Sequence, residues 1–509
     1  MSFLQGLEKE LNTSITENGA VGYKTTGKAI LDFNFKIASY RSKTEKEILN
    51  DFKNVWFENK ELALKFLFYI RDIREGVGER RLFRTILPEI AYALDNRVFN
   101  WVMEYGRADD LFVFFGTELE NQMIEFVKNK LLEDTNNVQN NKPISLLAKW
   151  MPSINTSSKA TRELAKKFVK AFEIDDKTYR KMLAGLRSYS NVIETKTCRN
   201  KWDEIVYEAV PSQANIKYKE AFFKHDEARR KEYLDSLKKG ETKINASTTF
   251  PHDIVSNYRL NSTWMWGSTK AKSLDQTLES MWKALPNYVR EDNKTLVVRD
   301  GSGSMEARIG DTKVSALDVS TALAIYFSER ASGDFKDKFI TFSSEPKFIN
   351  LTGYDTLRDK LERCYAEDDC SNTNIEKTFD LILKVAVKNN LKQEEIPNIL
   401  IISDMEFDAA TRQYTSFYGR ERKTDNSTLF GIITAKFNKA GYKLPRIAFW
   451  NVNSRTATIP VVENELGVAL VSGFSPAVTK MVLNGETDPY QALVKEITGE
   501  RYKQVTLTV

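Results

Sequence analysis

The sequence predicts an α-helical array over residues 1–290 followed by an α/β domain over residues 291–509, built on a largely parallel sheet. Three observations carry this. Up to Pro286, apolar residues recur at helical spacing in paired stretches joined by charged turns, the habit of helical arrays. From Thr295 onward, short apolar runs alternate with helical stretches, the pattern of parallel α/β sheets. Where the second pattern begins, Leu296-Val297-Val298 breaks into Asp300-Gly301-Ser302-Gly303-Ser304, an abrupt polar tip on a buried strand.

In chain order, residues 1–40 carry turn signals and little periodicity. Gly22-Tyr23-Lys24-Thr25-Thr26-Gly27-Lys28-Ala29 misses the phosphate-cradling loop, because Ala29 stands where a Ser or Thr would hold Mg²⁺. Thr44 and Glu47 form a capping box for a helix that buries Ile48, Phe52, Val55 and Trp56. Further helices are expected at 61–70, 82–94 and 101–105, separated by the charged turns 70–81 and 106–111. A helix at 274–285 stops at Pro286-Asn287. Beyond it the expected order is strand 296–299, helix 314–331, strand 339–342, edge strand 347–351, helices near 354–365 and 375–387, and strand 399–402. A polar helical region, strands 447–452 and 468–471 and a closing helix from Pro476 complete the reading. Helical connections between short strands force parallel pairing, which brings the tips at Asp300 and Asp404 to one edge.

At 41% hydrophobic and 28% charged, the chain is globular, and 509 residues exceed one ordinary core. The net charge of +5 selects no partner, but residues 142–243 hold 23 Lys and Arg against 14 Asp and Glu, a local excess of the kind nucleic-acid binders carry. A solvated basic helix surface gives the same count. Cys198, Cys364 and Cys370 build neither a disulfide framework nor a metal knuckle, which fits a reducing compartment. Near Met1 no charged-then-apolar leader is read, and no apolar run approaches the ~18 residues of a bilayer span, so a cytoplasmic protein without a membrane partner is expected. Two histidines, His225 and His252, are too few and wrongly spaced for a His-based zinc site or a Ser-His-Asp triad.

Asp300, Ser302 and Ser304 offer one carboxylate and two hydroxyls, an all-oxygen set suited to Mg²⁺ or Mn²⁺; taken alone they equally fit a Gly/Ser turn with an Asp cap. The segment resembles the metal-ion-dependent adhesion site of von Willebrand factor A domains, whose first motif is Asp-x-Ser-x-Ser after the first strand. That resemblance implies a distant Thr and a distant Asp, for which Thr373 and Asp404 are the candidates. Ser371-Asn372 stands where two glycines are frequent, and Met405 follows Asp404 where Gly is frequent.

The turns 70–81 and 106–111 resemble those of the TROVE module of the Ro ribonucleoproteins. Lys201-Trp202-Asp203-Glu204-Ile205, Val210-Pro211-Ser212, Phe250-Pro251-His252-Asp253 and Phe449-Trp450-Asn451 are similar to a less characterised branch of that group. The resemblance spans about residues 18–476. It implies a HEAT-like helical array closing into a ring, a Rossmann-like A domain, and binding of small or misfolded non-coding RNA without catalysis. Arg180, Lys181, Arg187, Lys196, Arg199 and Lys201 are the expected RNA contacts, clustered beside Tyr179, Tyr189 and Trp202 as stacking aromatics. An interaction scaffold, in which the metal accepts a partner protein's carboxylate, is the alternative. A metal-dependent hydrolase ranks below both, since only Glu406 or Asp408 could serve as base.

Overall fold

Thr295–Asp300 is buried at every position, as a strand covered on both faces must be. In the computed structural model, which describes residues 11–260, 270–290, 294–310, 312–342, 345–367, 374–408, 428–460, 468–479 and 488–507, it is the fifth of ten strands. A hairpin of β1 (Thr13–Ile15) and β2 (Val21–Tyr23) and a two-residue pair, β3 (Arg259–Leu260) and β4 (Lys270–Ala271), precede it. With β5 as Thr295–Asp300, the sheet continues through β6 (Lys338–Phe342), β7 (Lys347–Asn350), β8 (Asn398–Ser403), β9 (Ile447–Asn451) and β10 (Val468–Ser472).

The six strands are ordered β10-β9-β8-β5-β6-β7, parallel except for the antiparallel edge pair β6 and β7. After β7 the chain crosses to the other side of β5, so the order reverses between β5 and β8. In open α/β sheets ligands settle at that switch point, outside the strands' carboxyl ends. Helix Ala316–Glu329 is buried along almost its whole length, and its Ala, Ser and Thr residues let it lie close against β5. Its start is fixed by a capping box between Ser315 and Asp318.

The chain divides into two compact units, Met1–Ala63 with Thr249–Gly499, and Leu64–Thr248 with Glu500–Val509. In the sheet unit, the Thr16 hydroxyl donates to the Phe407 carbonyl at 2.6 Å and Asn34 to that of Leu470 at 3.2 Å, tying the N-terminal segment to strand-end loops. In the helical unit, Lys65 donates to the Val505 carbonyl at 2.5 Å and the Tyr502 hydroxyl to Asp72 at 3.1 Å, returning the last residues to that unit.

Helix Glu45–Glu58 carries the expected capping box, with Thr44 N–H to Glu47 at 2.8 Å and Glu47 N–H to the Thr44 hydroxyl at 3.3 Å. One expected helix is cut short. The one at 82–94 becomes helix Arg80–Ile86 followed by the 3₁₀ turn Leu87–Ala93, because Pro88 lacks an N–H and its ring clashes with a preceding carbonyl. At the expected start of the closing helix stands a 3₁₀ turn, Pro476–Val478; residues 480–487 lie outside the described residues, and a helix Pro489–Ile497 capped by Asp488 follows. The polar helical region expected after β8 lies mostly outside the described residues. Among the described residues no helix is long and apolar enough to cross a membrane.

Candidate metal centre and basic helical surface

Asp300 ends β5 and Asp404 follows β8, its parallel neighbour, so both carboxylates project from the switch point. Asp300 is fully buried. Its Oδ1 accepts the Ser302 N–H at 2.9 Å, and its Oδ2 accepts the Ser403 hydroxyl at 2.6 Å. The Ser302 and Ser304 hydroxyls lie 3.0 Å apart, and Ser304 hydrogen-bonds Asp404. A continuous relay thus runs Ser403, Asp300, Ser302, Ser304, Asp404. Thr373 lies outside the described residues.

Burial first, and the neighbouring Asp404 second, push the Asp300 carboxyl up to about 7. Burial likewise raises Asp404, outweighing hydrogen bonds from Ser304 and the Glu406 N–H. Two buried carboxylates facing one pocket of hydroxyls repel when both are charged, and a divalent cation would relieve that. The donor set is all oxygen, which fits Mg²⁺ or Mn²⁺. Among the described residues no group of three or more His, Cys, Asp and Glu is disposed to hold a metal, so any ion here would rest on two carboxylates supplemented by hydroxyls.

Met405, where A domains frequently have Gly, takes φ 62°, a left-handed conformation that costs a side-chain-bearing residue on the order of 1–2 kcal/mol. The Met405 N–H donates to the Ser403 hydroxyl at 2.9 Å, which fixes that turn. Glu406 points elsewhere. Its carboxylate accepts backbone N–H groups of Glu17, Arg455 and Thr456 at 2.8, 2.7 and 2.8 Å, and hydroxyls of Ser454 and Thr456 at 3.2 and 3.0 Å. It is a staple for three chain segments, unsuited to the base role considered for it. Ser403, Glu17 and Arg455 went unassigned from the sequence. Ser403 had a signal, as the hydroxyl beside a strand-end Asp; Glu17 and Arg455 had none.

In the helical unit, Arg180 and Lys181 are exposed on helix Asp176–Tyr189, and Arg199 is exposed after helix Ile193–Cys198. Arg187 turns inward, donating to the carbonyls of Ala148 and Met151 at 2.8 and 2.7 Å and to Ser153 at 2.9 Å, and burial lowers its pKa. Lys196 donates to the Glu204 carbonyl at 2.6 Å, and Lys201 pairs with the Glu204 carboxylate. Tyr179 is fully buried and donates to the Pro152 carbonyl at 2.9 Å, which takes it out of any stacking surface. The Tyr189 hydroxyl donates to the Lys142 carbonyl at 3.0 Å. Trp202 stacks on His225 with ring centres 4.4 Å apart and planes at 7°.

Over 521 aligned residues the chain is 30% identical to the uncharacterized protein L728 of Acanthamoeba polyphaga mimivirus, covering 93% of this chain and 85% of that protein. The chain belongs to the family of that protein. Residues 16–88 and 157–295 match a domain of unknown function, DUF2828, and residues 294–506 match a second, DUF7788. In this family's terms, Asp300, Ser302, Ser304, Thr373, Asp404 and Arg455 fall in the second match. The basic candidates from Arg180 to Lys201 fall in the first. The border between the matches lies just ahead of β5.

Proposed function

We propose that this chain is a non-catalytic RNA-binding protein whose sheet unit carries an adhesion-type Mg²⁺ or Mn²⁺ site of von Willebrand factor A character. The observation that carries it is the relay joining Asp300, Ser302, Ser304 and Asp404 at the switch point between β5 and β8. These residues would hold the ion, with Thr373 as the fifth ligand that the A-domain resemblance implies. An ion so held supplies an open coordination position for an incoming anion. Chemistry on RNA is not part of the proposal, because Glu406, a carboxylate neighbouring Asp404, is committed to backbone N–H groups.

The RNA reading rests on the Ro-like turns and on exposed Arg180, Lys181 and Arg199. On that resemblance the helical array closes into a ring, and the free thiols Cys198 and Cys364 suit a reducing, cytoplasmic setting. Calorimetric titration with MgCl₂ and MnCl₂ tests the ion: wild type should bind and Asp300→Asn should not. Filter binding of structured RNA at low salt tests the partner. Ion binding without RNA binding would favour the scaffold reading, in which the ion takes a partner protein's carboxylate. RNA cleaved in Mn²⁺ and spared by Asp300→Asn would overturn the non-catalytic reading.

A further inference from the structure

Beside the relay stands a cation the chain supplies itself. Arg455, in the loop after β9, places Nη2 2.7 Å from Glu17 Oε2 and 3.4 Å from Asp404 Oδ2. One guanidinium nitrogen is thus shared between a half-exposed carboxylate and a buried one. Both partners are fixed at the backbone by the same acid, since Glu406 accepts the N–H of Glu17 and of Arg455. The tip of the β1–β2 hairpin and the loop after β9 are thereby held together without help from the Arg455 side chain.

We propose that Arg455 is an internal counter-cation of this edge, leaning on Asp404 when no ion is bound and yielding Asp404 to a divalent cation while Glu17 retains it. The inference rests on the cation site proposed above. Arg cannot relieve repulsion from an incoming ion by losing a proton, so its charge has to move. Glu17 already provides the nearer partner, and a side-chain rotation completes the transfer. Arg455 is therefore a positioning residue that lowers and sets the ion affinity, and Glu17 acts through it.

The experiment is Mg²⁺ calorimetry on the full chain for wild type, Arg455→Gln, Glu17→Gln, the double variant and Asp300→Asn, with thermal melts of each in EDTA and in MgCl₂. Gln at 455 keeps the N–H that Glu406 accepts. Arg455→Gln should tighten Mg²⁺ about tenfold, the scale of a single charge against a double one a few ångströms apart in near-aqueous surroundings. Its melting point should fall below wild type in EDTA and approach it in MgCl₂, a cation-dependent shift that a merely structural role would not produce. Glu17→Gln should weaken Mg²⁺ several-fold on its own and by less than about twofold in the Arg455→Gln background. An Arg455→Gln affinity equal to or below wild type overturns the inference. So does a Glu17→Gln loss undiminished in the double variant, which would make Glu17 a direct, through-space anion. If wild type binds no ion and matches Asp300→Asn, the cation site itself falls, and this inference with it.

Discussion

Ser403 donates its hydroxyl to Asp300 Oδ2 at 2.6 Å, linking the ends of two adjacent parallel strands. The Ser403 hydroxyl oxygen also accepts the Met405 N–H, so one small side chain holds both the Asp300 carboxylate and the left-handed turn after Asp404. Ser403→Ala leaves a buried acceptor short of a donor, at about 1–3 kcal/mol. It also frees Asp300 to rotate, and losing a residue that orients a ligand costs about 10–100-fold in metal affinity. Urea unfolding and Mg²⁺ calorimetry measure the two effects. Unchanged affinity in a folded variant would remove Ser403 from the site.

Among the helices, Arg71 donates from Nε to Asp110 Oδ2 at 2.7 Å, joining the two charged turns. Arg84 reaches the other oxygen at 2.5 Å, and the Arg107 N–H donates to Asp110 Oδ2 at 2.9 Å. Asp110 and the Arg71 side chain are buried, so removing the acid strands a guanidinium out of water. Asp110→Ala should cost about 3–5 kcal/mol. The exposed pair Lys231–Glu227 offers a control, and breaking it should barely change stability. The turns that resemble an RNA-binding family are thus tied to each other by buried charge. An Asp110→Ala variant as stable as the Glu227→Ala control would refute this account.

How far the sequence shows all this depends on the range of each signal. Asp300 and Asp404 are legible because an apolar run ending in an acid is a local pattern, and helical crossovers then force the parallel pairing. Pro88 is equally local, yet the helical periodicity around it masks the stop. Arg187 had a signal too: Tyr179, Leu183 and Leu186 are buried on one helix face, and Arg187, eight residues after Tyr179, falls on it. Glu17 and Arg455 meet across more than four hundred residues through a hairpin tip and a loop, and no periodicity reports that.

Acid should loosen the charged-turn network. Burial alone would raise the Asp109 carboxyl, but hydrogen bonds from Arg107 and Arg84 outweigh it and hold the pKa below the ordinary carboxylate range. A depressed folded pKa gives stability that is present above the unfolded value of about 3.9 and lost as pH falls through the folded one. Asp109→Asn should therefore be less stable than wild type by a constant margin from about pH 8 to 5, and the margin should shrink below about pH 4. Urea unfolding of both chains across that range reads it directly. A margin constant down to pH 3 would mean that Asp109 acts through shape and not charge.

The basic candidates separate into a surface set and a brace, and they should respond differently. Arg180, Lys181 and Arg199 are exposed, whereas Arg187 spends three donors on two carbonyls and a hydroxyl. Replacing the three exposed cations by Ala should leave the circular dichroism melt unchanged. If they contact phosphates, each loses about one counterion's worth of salt dependence, so the slope of log affinity against log salt should fall by roughly 2 to 3. Arg187→Ala should instead destabilise the helical unit by about 1–3 kcal/mol, because three partly buried acceptors lose a shared donor. Its RNA affinity should drop only in proportion to the unfolded fraction. Filter binding from 50 to 200 mM salt, run beside melts of each variant, separates the two. A triple variant with the wild-type slope would move RNA off this surface, and undetectable wild-type binding at low salt would leave the cation-dependent scaffold as the better reading of the chain.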